Sequence, residues 1–183
     1  MTVLPLLSLL LPLTAQAQDV TAFDGQLVRP SADSLTTIWI DDASIRPGFV
    51  GRLGLGYARD PVLVISDSSG EGRSLIGDLG ELDVIAGWAG GSVRAALLVP
   101  LVGASSELVE GAAGLGDVGL DVKGQLLDPD EFGFGLAVGG RLTAPTATAA
   151  DPLPLGGAGV TWELRLIADK PVGDLRMLAN VGY

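Results

Sequence analysis

Cysteine and histidine are both missing from the 183-residue chain. Their absence excludes a disulfide framework, a thiolate nucleophile, an imidazole base and the usual zinc ligands. Basic residues are scarce. Eleven Lys and Arg stand against twenty-two Asp and Glu, for a net charge of -11. A surface of that sign repels a phosphate backbone, so no nucleic acid is expected as a partner. Charge of either sign is thin, at 18%, which is little for an acidic soluble protein. After the first residues, no stretch approaches the roughly eighteen apolar residues of a membrane helix.

Glycine and aliphatic residues fill the space. There are 27 glycines, and 48% of the chain is hydrophobic. The chain starts with an apolar run from Val3 to Leu13, followed by Thr14-Ala15-Gln16-Ala17. A run of that length before an Ala-x-Ala motif reads as a signal peptide, although Met1-Thr2 brings no basic residue. The division expected is residues 1–17 as signal peptide, 18–33 as a polar leader and 34–183 as one β-domain.

The clearest pattern is the hairpin from Gly114 to Pro145. Val118, Leu120, Val122, Gly124 and Leu126 alternate with Asp117, Gly119, Asp121, Lys123 and Gln125. Phe132, Phe134, Leu136, Val138 and Leu142 do the same in the second arm, and Asp128-Pro129-Asp130 supplies turn chemistry between the arms. Pairing Leu126 with Phe132 would set Gly124 against Phe134 and Asp117 against Arg141. The same rhythm predicts nine strands in all. They are Ser34–Asp42, Phe49–Ala58, Val62–Ser66, Leu79–Ala89, Ser92–Leu101, the two hairpin arms, Val160–Ala168 and Asp174–Tyr183. Arg59-Asp60-Pro61 and Gly90-Gly91 read as tight turns, and residues 67–73, 102–114 and 144–158 as loops. No helical period follows the signal segment.

Three features favour an antiparallel up-and-down transmembrane β-barrel of about eight to ten strands. First, the strand charges share the small, glycine-rich face, as a lumen lining of Arg52, Glu81, Asp83, Arg94, Asp117, Asp121, Lys123, Arg141, Glu163, Arg165, Asp174 and Arg176. Second, aromatics sit on the apolar face near strand ends. Tyr57, Trp88 and Phe132 are expected by the short turns and Phe49, Trp162 and Tyr183 at the opposite end, as two interfacial belts. Third, short and long connections alternate. The runner-up architecture is a soluble secreted β-sandwich that serves as a binding module.

The residues offer no enzyme. Glu81 with Asp83, or Asp117 with Asp121, share a face, but carboxylates there read better as partners of Arg and Lys than as an acid–base pair. Ser68-Ser69 and Ser105-Ser106 lack a histidine. Asp41-Asp42 and Asp128-Pro129-Asp130 match no calcium loop, and Gly114-x-Gly116 precedes a strand rather than a helix. No cofactor or metal is expected.

Some short motifs carry a resemblance. Gly114-Leu115-Gly116-Asp117 with Lys123 in the following strand, Tyr57-Ala58-Arg59-Asp60-Pro61 and Asn180-Val181-Gly182-Tyr183 are similar to segments of OmpA-like and porin-like bacterial outer-membrane barrels, over about Asp33 to Tyr183. Leu142-Thr143-Ala144-Pro145-Thr146 departs from the Leu-Pro-Thr-Gly seen there. The resemblance implies residence in the cell outer membrane, with lipid and the barrel-assembly machinery as partners. The function expected is a passive channel for small solutes. The alternative is a structural barrel whose lumen is plugged by its own charges. Counting strands outward from a periplasmic N-terminus ends the ninth outside, so residues 34–183 are expected to be a truncated barrel that needs at least one more strand. If Leu35 to Ile40 lies outside the barrel, eight strands remain.

Overall fold

The computed structural model describes residues 31–32, 40–65, 72–105, 111–148 and 156–183. The predicted signal peptide, most of the leader and residues 34–39 of the first predicted strand lie outside the described residues. The chain forms one antiparallel sheet curled into a half-barrel. Its strands are β1 (Gly48–Ile65), β2 (Gly72–Gly90), β3 (Val93–Ser105), β4 (Ala112–Leu115), β5 (Val118–Leu127), β6 (Gly135–Ala144), β7 (Thr161–Val172) and β8 (Leu175–Gly182). Spatial order follows chain order, with the short β4 set beside β3 and off the main path. A sandwich would need a second sheet, and the described strands make only one.

Period-two patterning produces the two faces, because successive side chains on a strand point oppositely. Along β3 the burial alternates residue by residue, with Arg94, Ala96, Leu98, Pro100 and Val102 buried and Val93, Ala95, Leu97 and Leu101 exposed. The concave face holds the buried residues. It carries charged and apolar side chains together, whereas the convex face carries exposed apolar ones.

Several expectations are corrected. Ile40, Asp41 and Asp42 are not in a strand, and the described part of the first predicted strand lies off the sheet. Arg59-Asp60-Pro61 is not a turn. β1 runs through it as one strand, and Asp60, at φ 50°, absorbs the irregularity as a break in register between Arg59 and Val62. The second and third predicted strands are therefore one. Residues 102–105 extend β3, and Ala112–Leu115 pairs with it, so the loop predicted at 102–114 is largely strand. β7 continues to Val172, and the turn falls at Gly173, with φ 60°, and Asp174.

The central hairpin keeps its strands but not its expected register. Asp121, not Asp117, is the partner of Arg141, and Gly124 faces Val138 rather than Phe134. The cause is the connection. Asp128 caps a single helical turn, α1 (Pro129–Phe132), by accepting from the Asp130 N–H, and Gly133 closes it at φ 71°. Pro129 at the first helical position and glycine at the C-cap suit such a turn. Phe132 and Phe134 are thereby taken out of the strand, and β6 starts at Gly135.

The connections fall alternately at the two ends of the sheet, although the α1 connection, 128–134, is no shorter than the 66–71 connection opposite. At one end lie the two-residue turns 91–92 and 173–174 and the α1 turn. The other end carries the connections spanning 66–71, 106–117 and 145–160.

Candidate functional site: a charged row under an inserted segment

One row of directly opposed residues crosses the concave face and defines the site. Gly48 pairs with Ala89, Ala89 with Arg94, Arg94 with Lys123, Lys123 with Gly139, Gly139 with Arg165, and Arg165 with Gly182. The row starts at the first residue of β1 and reaches the last residue of β8. A sheet sheared this far has strongly tilted strands, as barrel curvature requires. The row also holds three basic residues of the predicted lining, with Arg94 directly opposite Lys123 and Gly139 between Lys123 and Arg165. The next row inward, Asp121–Arg141–Glu163, alternates in sign.

Like charges directly opposite on a sheet are destabilising, and burying them raises the cost. Arg94 and Lys123 are both fully buried. Two carboxylates compensate them. Asp121 belongs to the wall. Its Oδ1 accepts from Arg94, and its Oδ2 accepts from Arg165 and, at 3.1 Å, from Arg141 Nε. Asp41 comes from the segment ahead of β1. Lys123 Nζ donates to Asp41 Oδ1 at 3.1 Å, Arg94 donates to Oδ2 at 3.5 Å, and Arg165 lies 3.9 Å from Oδ2.

The segment carrying Asp41 lies in the concave face along its described length. Lys123 also donates to the carbonyls of Asp42, at 2.8 Å, and Ser44, at 3.0 Å. With its amide oxygen and nitrogen exchanged so that each meets a partner, Asn180 brackets Asp41, accepting from its N–H at 2.7 Å and donating to its carbonyl at 3.0 Å. Ala43 N–H donates to Asp169 at 2.8 Å, and Arg176 bridges Asp169 and the Ser44 hydroxyl. Apolar contacts fix both flanks. Ala32 and Ile45 pack with Val50, Ile85, Ala89, Ala96 and Leu98, while Ala43 packs with Ala137 and Ile167. Gly135 allows the close approach of Ala43, because a Cβ there would sit 2.9 Å from the Ala43 Cβ and 2.6 Å from Asp169 Oδ1. Burial pushes the Asp42 carboxyl above its usual range, against the opposing pull of Lys123 and then Arg176.

Not every predicted lining residue joins this cluster. Arg52 holds the Ser31 carbonyl, so it too is turned to the inserted segment. Glu81 and Asp83 are buried further along β2. Asp117 sits ahead of β5 and ties down the following connection, accepting from the N–H of Ala147 and of Gly157. Asp174 is exposed in the β7–β8 turn. The aromatic groups are redistributed. Phe49 is the direct partner of Trp88, and Phe132 is in α1, so these three share the short-turn end. Tyr57 lies well along β1 toward the other end, where the Trp162 and Tyr183 rings approach to 6.2 Å. Sequence reasoning missed Asp41, Asp42, Ser44 and Asn180 as contributors, since the first two fell inside a predicted strand.

The arrangement is a set of paired charges. No cluster of three or more metal-ligating side chains occurs among the described residues. No protein-family model, curated protein or solved structure matches the chain.

Proposed function

We propose that the chain is an outer-membrane β-barrel domain with a scaffold role, its convex face in lipid and its concave face occluded by its own N-terminal segment. One observation carries the reading: the distribution of polarity is inside out. Arg94, Lys123 and Asp121 are fully buried, while Leu55 is 88% exposed, Leu53 74% and Trp88 66%. Among the described residues twenty-five large hydrophobic side chains are exposed. Soluble monomers do not present an apolar surface on that scale. A bilayer would cover it and would select aromatics toward both rims. Export by the predicted signal peptide, insertion by the barrel-assembly machinery and contact with outer-membrane lipid belong to the same proposal.

The inserted segment weighs against the passive solute channel and for the plugged barrel. A side chain such as Lys123 that is fully buried and holds Asp41, Asp42 and Ser44 leaves little room for a water-filled path beside it. Conductance across planar bilayers tests this. Residues 18–183 are expected to give near-background current, and the same chain lacking residues 18–46 a steady open level. A large steady conductance from the longer form would overturn the plugged reading and restore the channel.

A further inference from the structure

We infer that Arg94, Lys123 and Arg165 form a binding site for a carboxylate anion, and that Asp41 is its intramolecular occupant. The inference goes beyond the scaffold reading and does not depend on the bilayer, because the site lies on the concave face. The three residues come from β3, β5 and β7 and share one cross-strand row, with Gly139 between Lys123 and Arg165 giving the longer side chains room. All three reach one carboxylate, Asp41, which belongs to no strand of the wall.

The charge count of the wall supports this. The two adjacent rows hold Arg94, Lys123, Arg165 and Arg141 against Asp121 and Glu163, and Asp83 of β2 also faces Arg141, which leaves an excess of one positive charge. Asp41 brings the cluster to neutrality. Arg176 does not disturb the balance, since Asp169 answers it at 2.8 Å. The wall therefore lacks an anion that the inserted segment supplies. Asp121 already engages Arg94, Arg141 and Arg165, whereas Lys123 Nζ is turned to the segment through Asp41, Asp42 and Ser44.

A site that holds an aspartate side chain by two guanidinium groups and an ammonium group has the chemistry to hold a free monocarboxylate of acetate size, with charge-assisted hydrogen bonds to each oxygen. A carboxylate borne on another polypeptide or on a small solute would meet the same three groups. Either would compete with Asp41 and loosen the segment from the wall.

Chemical rescue tests the site. The full chain carrying Asp41→Ala, refolded in detergent, is expected to melt at a lower temperature than the parent in chloride. Replacing chloride by acetate at equal ionic strength should raise its Tm saturably, by about 3 °C at tenfold excess over the dissociation constant. Adding Lys123→Met should abolish the rise, and the parent should show none. Equal melting of Asp41→Ala in the two salts would overturn the site. If Asp41→Ala folds in neither salt, the cysteine-free parent carrying Ser44→Cys decides. Maleimide labelling should run about threefold faster in about 0.5 M acetate than in chloride, as competition with a tethered ligand requires. Equal labelling rates would reject the proposal. Replacing acetate by an aspartate-containing peptide of the same charge distinguishes a small solute from a polypeptide as the preferred occupant.

Discussion

Asp121→Asn is expected to destabilise the folded protein by about 3–5 kcal/mol, the cost of leaving buried cations without their counter-ion. The substitution is nearly isosteric, so the effect is electrostatic rather than a cavity. Asp121 is fully buried and accepts from Arg94, Arg141 and Arg165 at once, and no neighbouring wall carboxylate can replace it in all three contacts. Equilibrium urea unfolding checks the result. Asp174→Asn is the control, because Asp174 lies exposed in a turn and surface changes there stay within about 0.5 kcal/mol. A loss below about 1 kcal/mol at Asp121 would mean that the row is solvated and the cluster is not a unit.

The second large effect is expected on the other face. Leu97 lies midway along β3 and points outward, flanked in its row by Leu120. In a bilayer, Leu97→Arg should cost about 2–4 kcal/mol, whereas Leu175→Arg, near a strand end, should cost about 0–1 kcal/mol. Both leucines are substantially exposed, Leu97 at 48% and Leu175 at 74%, so in water neither substitution should matter much. Unfolding titrations in lipid vesicles separate the cases. Equal and small effects at the two positions would place the convex face in an aqueous setting.

Some of this was legible in the residues. Alternation is a local property, and it placed Arg94, Lys123, Arg141 and Arg165 on one face because a strand has only two faces. Strand identity followed wherever the alternation was clean, as in β2, β3 and β5. Register was less accessible. It depends on how many residues the turn consumes, and Asp128-Pro129-Asp130 read as a plain turn although it begins a capped helical turn ending at Gly133. Four residues of misalignment followed, which moved the partner of Arg141 from Asp117 to Asp121. The break at Asp60 misled in the opposite sense. Proline beside aspartate is turn chemistry, but here the backbone takes a positive φ within one long strand.

The inserted segment was the least legible part. Ile40-Asp41-Asp42 follows a β-like run, and nothing in local period distinguishes a strand end from a segment folded into a concavity. Its signal is a long-range one: a row that carries Arg94, Lys123 and Arg165 and no anion of its own needs a carboxylate from elsewhere. That need becomes visible only once the rows are known. Pairs such as Lys123 with Ser44 and Ala43 with Asp169 are 79 and 126 residues apart, and no window along the chain contains them.

Membrane residence depends on where the convex face lies. Quenching by lipids brominated at graded depths, read from single-tryptophan variants of the refolded chain, measures that directly. Trp88, near the short-turn end, and Trp162, at the opposite end, should both be quenched best by shallow bromines, and a tryptophan placed at Leu97 by the deepest ones. No quenching at any of the three positions, with the chain recovered free of lipid, would contradict it.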